Sequence, residues 1–233
     1  MAELPELWRN PPVLEEAATR LYRALGAVNL IHDLPGAGRL DEAVSLLGEL
    51  RSLAETHPGE PALRLELAKG AVNLMRSDGL LSAGRLDEAV SLLGELRSLA
   101  RSYPGEPALR ESLARGAVNL IRSDGLLGAG RLDEAVSLLG ELRSLAVSHP
   151  GEPALRLELA KGAVNLIGAS LGQDQEDVAR QVAEIGEAAL REPAIWQELG
   201  GRADPEMVAA LRNLVAGWLG WPEDDPTGEG EAR

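Results

Sequence analysis

Three pairs of side chains stand out for the chemistry they could do together: Lys69 with Asn73, Arg115 with Asn119 and Lys161 with Asn165, each a base four residues ahead of an asparagine. On a helix that spacing puts both groups on one face. The bases can fix a carboxylate through charge-assisted hydrogen bonds, and the amides can donate to and accept from a peptide backbone. Arg76 and Arg122 stand one turn beyond the first two asparagines. Asn29 has Leu25, not a base, four residues before it and supplies half of such a pair. A plainer use is open to the same residues: each asparagine bonds a neighbouring loop carbonyl, and each base is a solvated charge on a helix flank.

Other reactive groups are scarce. The chain has no cysteine, which removes thiolate nucleophiles, thiolate metal sites and disulfides. His57 and His149 occupy equivalent places two repeats apart, too far to share a metal when helices pack roughly 8 to 10 Å apart. Tyr103 takes that place in between, as at a tolerant turn, and His32 stands alone. The pairs Asp78–Gly79 and Asp124–Gly125 bring one acid where a calcium loop needs several oxygens. We expect Gly79 to mark a kink inside a helix, and the helix-interior glycines Gly48 and Gly70 to permit close packing. No nucleophile with its base, metal cluster or phosphate-binding glycine loop is spaced for catalysis, so no enzymatic activity, metal or cofactor is expected.

The elements that must position these residues come from a repeat. The string AGRLDEAVSLLGELRSLA begins at Ala37, Ala83 and Ala129, a spacing of 46 residues. Units 37–82 and 83–128 agree at 38 of 46 positions, which marks a recent duplication, so their identity carries no functional constraint. Leu40, Ala43, Val44, Leu47, Leu50 and Ala54 recur at spacings of three and four, with charged residues elsewhere, and predict an amphipathic helix. Gly59 then breaks the chain and Pro61 opens a second helix, expected to run to about Leu81. Each unit is a helical hairpin that needs neighbours to cover its apolar faces.

The ends differ. Asn10, Pro11 and Pro12 are expected to open a leading helix to about Asp33, which carries the string GAVNL at Gly26 that recurs at Gly70, Gly116 and Gly162. Beyond Ile167 the repeat fades into EDVARQVAEIGEAAL and DPEMVAALRNLVAGWL, the latter capped by Asp204, with Trp196, Trp218 and Trp221 as apolar cover. The expected organisation is a leading cap over 1–36, three hairpins over 37–167 (37–82, 83–128 and 129–174, the last degenerating after 167), a helical cap over 168–220, and an acidic disordered tail over 221–233.

Composition agrees with helices: aromatic residues are 3 % of the chain and Phe is absent, so a sheet would lack its usual formers. The formal charge of -14 repels a phosphate backbone, and on that ground nucleic acid is excluded as a partner. The first residues lack the basic region and apolar core of a signal peptide, and no apolar run approaches the ~20 residues of a membrane span. A cytoplasmic chain with no membrane partner is expected.

The stretch NLIHDLPGAGRLDEA, from Asn29 through Gly38 to Ala43, resembles the tetratricopeptide repeat (TPR), and the resemblance covers about Leu21 to Leu166. Repeats of that family run about 34 residues; a HEAT-like solenoid, with units of about 40 to 47, is the structural alternative. The resemblance implies an all-α, right-handed solenoid of antiparallel hairpins. Its concave face would be lined by Asn29, Lys69, Asn73, Arg76, Arg115, Asn119, Arg122, Lys161 and Asn165. It also implies a non-enzymatic scaffold that binds a protein or peptide there, an extended acidic segment suiting the bases. The alternative is a structural role, in which near-identical units stack end to end between molecules into a homo-oligomer.

Overall fold

The structure, a computed structural model, describes residues 17–76, 78–122, 125–201 and 205–221. Among them every regular element is a helix: α1 (Ala17–Asp33), α2 (Leu40–Thr56), α3 (Pro61–Leu74), α4 (Leu86–Ser102), α5 (Pro107–Ile121), α6 (Leu132–Ser148), α7 (Pro153–Leu171), α8 (Glu176–Leu190), α9 (Pro193–Gly200) and α10 (Pro205–Trp218), with one 3-10 turn at Pro35–Ala37. The all-α class read from the sequence is the one observed. None of these helices is long and apolar enough to cross a membrane. The residues Asn10, Pro11 and Pro12, the expected cap Asp204, and the tail from Pro222 onward lie outside the described residues. The chain forms two compact units, Met1–Gly116 and Ala117–Arg233.

The repeated sequence makes a repeated helix. In α2 the apolar spacing buries Ala43, Leu46, Leu47, Leu50 and Ala54, and α4 and α6 bury the same five positions. Acids in each first turn, Asp41 and Glu42 in α2, oppose the unpaired amides there. Arg39, Arg85 and Arg131 stand one residue ahead, and their side-chain hydrogen bonds hold Glu42, Glu88 and Glu134 below the ordinary carboxylate range. In unit one α1 packs against both α2 and α3, and α3 also against α4; in unit two α7 packs between α6 and α8.

The turn entering each of these helices is left-handed. Gly38, Gly84 and Gly130 have φ of 73°, 70° and 70°, and the next amide returns to a carbonyl five residues back, as from Arg85 to Leu80 at 2.9 Å. The turn occurs a fourth time, beyond the point where the sequence repeat fades. Asp174 takes φ 56°, and the Gln175 amide reaches the Ser170 carbonyl at 2.9 Å. α8 then buries Ala179, Val182, Ala183, Gly186 and Leu190 at the spacing α6 uses, and Pro193 opens α9 after Glu192 as Pro153 opens α7 after Glu152. α8 and α9 thus form a hairpin built like those before it, with α10 against both.

Two expectations about the glycines are corrected. α3 stops at Leu74, not near Leu81, and Gly79 stands in the turn that follows. The Leu80 amide folds back to the Leu74 carbonyl at 2.8 Å, and a Cβ on Gly79 would sit 2.3 Å from that oxygen. The glycine therefore permits a chain reversal and not a kink. Close packing holds for Gly70, whose added Cβ would meet Leu47, Ile31 and Leu50 at 3.0 to 3.3 Å, but a Cβ on Gly48 would meet nothing within 4 Å.

Arginines fasten successive hairpins. Arg20 Nε donates to Glu60 at 3.1 Å, and Arg64 bonds Glu106 while donating to the Pro58 carbonyl at 2.5 Å. In unit two Arg156 bonds Glu192 and the Pro150 carbonyl in the same way. The tie from Arg20 holds the Glu60 carboxyl below its ordinary range. Arg51 with Glu95, at 2.8 Å, and Arg85 with Asp41, at 2.7 Å, join α2 to α4. Partly exposed pairs of this kind add little energy singly and act mainly by setting register.

Candidate functional site

In unit one the expected residues sit on α1, α3 and α5. The spacing 3, 4, 3 that sets out Glu66, Lys69 and Asn73 on α3 and Arg76 just past its end also gives α1 its Tyr22, Leu25, Asn29 and His32. Lys69 is exposed, and its Nζ lies 2.7 Å from Oε1 of Glu66, a carboxylate only 4 % exposed. Asn73 is half-buried, and its Nδ2 donates a long bond of 3.4 Å to the Val28 carbonyl. Arg76 donates to Nε2 of His32 and lies 3.4 Å from Asp78. Nδ1 of the same histidine lies 2.8 Å from Asp33. Arg115, exposed on α5, pairs with Glu111 one turn earlier, and Asn29 is exposed on α1.

Unit two holds Asn119, Arg122, Lys161 and Asn165. Lys161 Nζ lies 3.0 Å from the buried Glu158 and 3.2 Å from Glu198 of α9. Asn119 and Asn165 are half-buried, and Arg122 is exposed.

The structure therefore gives all three bases a carboxylate of their own helix. A buried carboxylate costs several kcal/mol unless paired, so Lys69 and Lys161 serve the fold by neutralising Glu66 and Glu158. A ligand carboxylate would compete with those partners. The sequence reading named the bases and passed over Glu66, Glu111, Glu158 and Glu198. The signal for the first three was there, an acid three or four residues before each base.

The place expected to be a tolerant turn is used. His57 and His149 bond through Nδ1 to the carbonyl four residues earlier, Leu53 at 3.1 Å and Leu145 at 3.0 Å, and the Arg64 guanidinium lies 3.9 Å over the Tyr103 ring. A groove of about 500 Å³ between α1 and α2 is lined by Arg23, Ser45, Gly48, Glu49, Ser52 and Thr56 among others, and its lining carries no histidine or cysteine. Among the described residues no three of His, Asp and Glu converge as a metal would need.

The PPR repeat family matches residues 77–99, a span that covers the turn ahead of α4 and most of that helix. No curated protein matches the chain, and neither does any solved structure. PPR repeats characteristically bind RNA, and this overturns the exclusion of nucleic acid drawn from the charge of -14. The physical reason is that net charge averages over the whole surface, whereas helical repeats read a strand through two or three side chains apiece. The match and the stacked hairpins together make this chain a helical repeat protein, of a kind that typically mediates binding.

Proposed function

We propose that the protein is a non-catalytic binding module, and that within a unit it holds an extended polypeptide against the helices that carry the asparagines. The observation behind this reading is the recurrence on α3, α5 and α7 of a base and an asparagine one turn apart, each base already partnered by an acid. Such a surface offers closely spaced donors and acceptors with little net charge. It suits the alternating N–H and C=O groups of a main chain better than a run of free carboxylates.

A second reading is favoured by the PPR match: a single RNA strand bound one base per repeat. The Tyr22 ring on α1, 75 % exposed, would then serve as a stacking surface. One experiment separates the two. The full chain is presented in parallel to a random peptide library and to a random single-stranded RNA pool, and Arg115→Ala/Asn119→Ala is tested against whatever is selected. Peptides whose binding weakens by about 1 to 3 kcal/mol in the variant, with helicity unchanged, support the first reading. Enriched RNA whose affinity falls steeply with salt supports the second. Enrichment from neither pool means the binding-module reading fails.

A further inference from the structure

α10 is nearly apolar all round, since its sequence PEMVAALRNLVAGW holds two charged residues, Glu206 and Arg212. A helix of that composition is normally covered on every side. One side is: α10 packs on α8 and α9, with Val215 fully buried and Val208, Leu211 and Trp218 half-buried. The other side is bare among the described residues. Met207, Ala210, Leu214 and Gly217, at spacings of three, four and three, form one exposed stripe, with Met207 60 % and Leu214 38 % exposed. A Cβ added to Gly217 would meet nothing within 4 Å.

The order of sizes along the stripe is large, small, large, small, and that order is complementary to itself when reversed. Set two α10 helices antiparallel about a two-fold axis near residue 212. Met207 of one then faces Gly217 of the other, and Ala210 faces Leu214, with the same two contacts repeated by symmetry. Each large side chain meets a gap, which is what close packing of helices about 8 to 10 Å apart requires. The stripe carries no charge, so two acidic chains can bring it together without opposing like charges across it. An isologous contact of this kind closes on itself and makes a dimer, not a filament.

We propose that the exposed face of α10 is the contact of a homodimer, its occupant the α10 of a second copy. The two helices overlap over roughly 21 Å, which is small for an interface, so the dimer is a weak one that forms in the micromolar range. Since both chains carry -14, added salt screens their repulsion and strengthens the dimer.

Sedimentation equilibrium of the full chain from about 1 to about 300 µM tests this, the expected mass rising from that of the 24.7 kDa monomer toward twice that value. Leu214→Glu places a charge at the centre of the contact and should weaken the dimer at least ~10-fold. Gly217→Met fills the gap that receives Met207 of the second copy, and should weaken it comparably while leaving far-UV circular dichroism unchanged, because the site is open in the single chain. Met207→Ala combined with Gly217→Met exchanges large for small at both ends of the contact and should restore association to within about threefold of the native chain, since it restores the size match. A mass that stays monomeric throughout overturns the proposal. So does a dimer indifferent to Leu214→Glu and Gly217→Met, or a double variant weaker than the single one.

Discussion

A buried carboxylate decides how Lys69 is to be read. Glu66 is held at 2.7 Å by that lysine, so Lys69→Met should cost about 2 kcal/mol in urea unfolding by leaving the carboxylate unpaired. The second repeat shows an alternative, with Ser112 at the place of Glu66 and Glu111 paired to Arg115. Copying it into α3 as Leu65→Glu/Glu66→Ser should cost less than the single change at Lys69. Glu60 gives the pH dependence. The hydrogen bond from Arg20 holds its carboxyl below the ordinary 4.5, so its stabilisation is complete above that pH and is lost as pH falls through the lower folded value. Thermal melts of Glu60→Gln should therefore lose less stability than the native chain between pH 4.5 and more acid conditions. The pairs Lys69–Asn73 and Lys161–Asn165 were legible from spacing alone. The same spacing also offered Glu66 and Glu158 as their partners; that those acids are buried was not legible, because burial depends on which helix lies over them.

At the scale of the element, two glycines that look alike in sequence should answer oppositely to the same change. Gly70→Ala drives a Cβ against Leu47 at 3.0 Å and should cost about 1 to 3 kcal/mol, while Gly48→Ala meets nothing and should gain about 0.5 to 1 kcal/mol from helix propensity. Chemical denaturation of the two variants checks the pair of signs. Asp174 repeats the left-handed turn of Gly38, Gly84 and Gly130 with a side chain that prefers not to adopt it. Asp174→Gly should raise stability by up to about 1 kcal/mol, read from the urea midpoint. The helices themselves were legible because apolar residues return every three or four positions and Pro61, Pro107 and Pro153 open the second helices. The end of α3 was misplaced by seven residues, since Leu80 and Leu81 continue the apolar period while the backbone has already turned back on Leu74.

For the whole molecule, repeats that touch only their neighbours contribute to stability by roughly equal steps. Removal of residues 83–128 should leave a helical protein with similar ellipticity per residue and a lower melting temperature; loss of all helix would mean that the repeats are not interchangeable. What the sequence by itself determined was the class of fold and the recurrence of one amphipathic helix as α2, α4 and α6, because both follow from local periodicity and propensity. Tertiary structure alone decided the rest. Asp174 and Glu192 rebuild a hairpin where identity has faded, because a turn needs only its backbone dihedral and a tie only its charge. Glu66 and Glu158 were buried, and α10 kept one apolar side bare among the described residues, because burial is a property of neighbours that local sequence does not name.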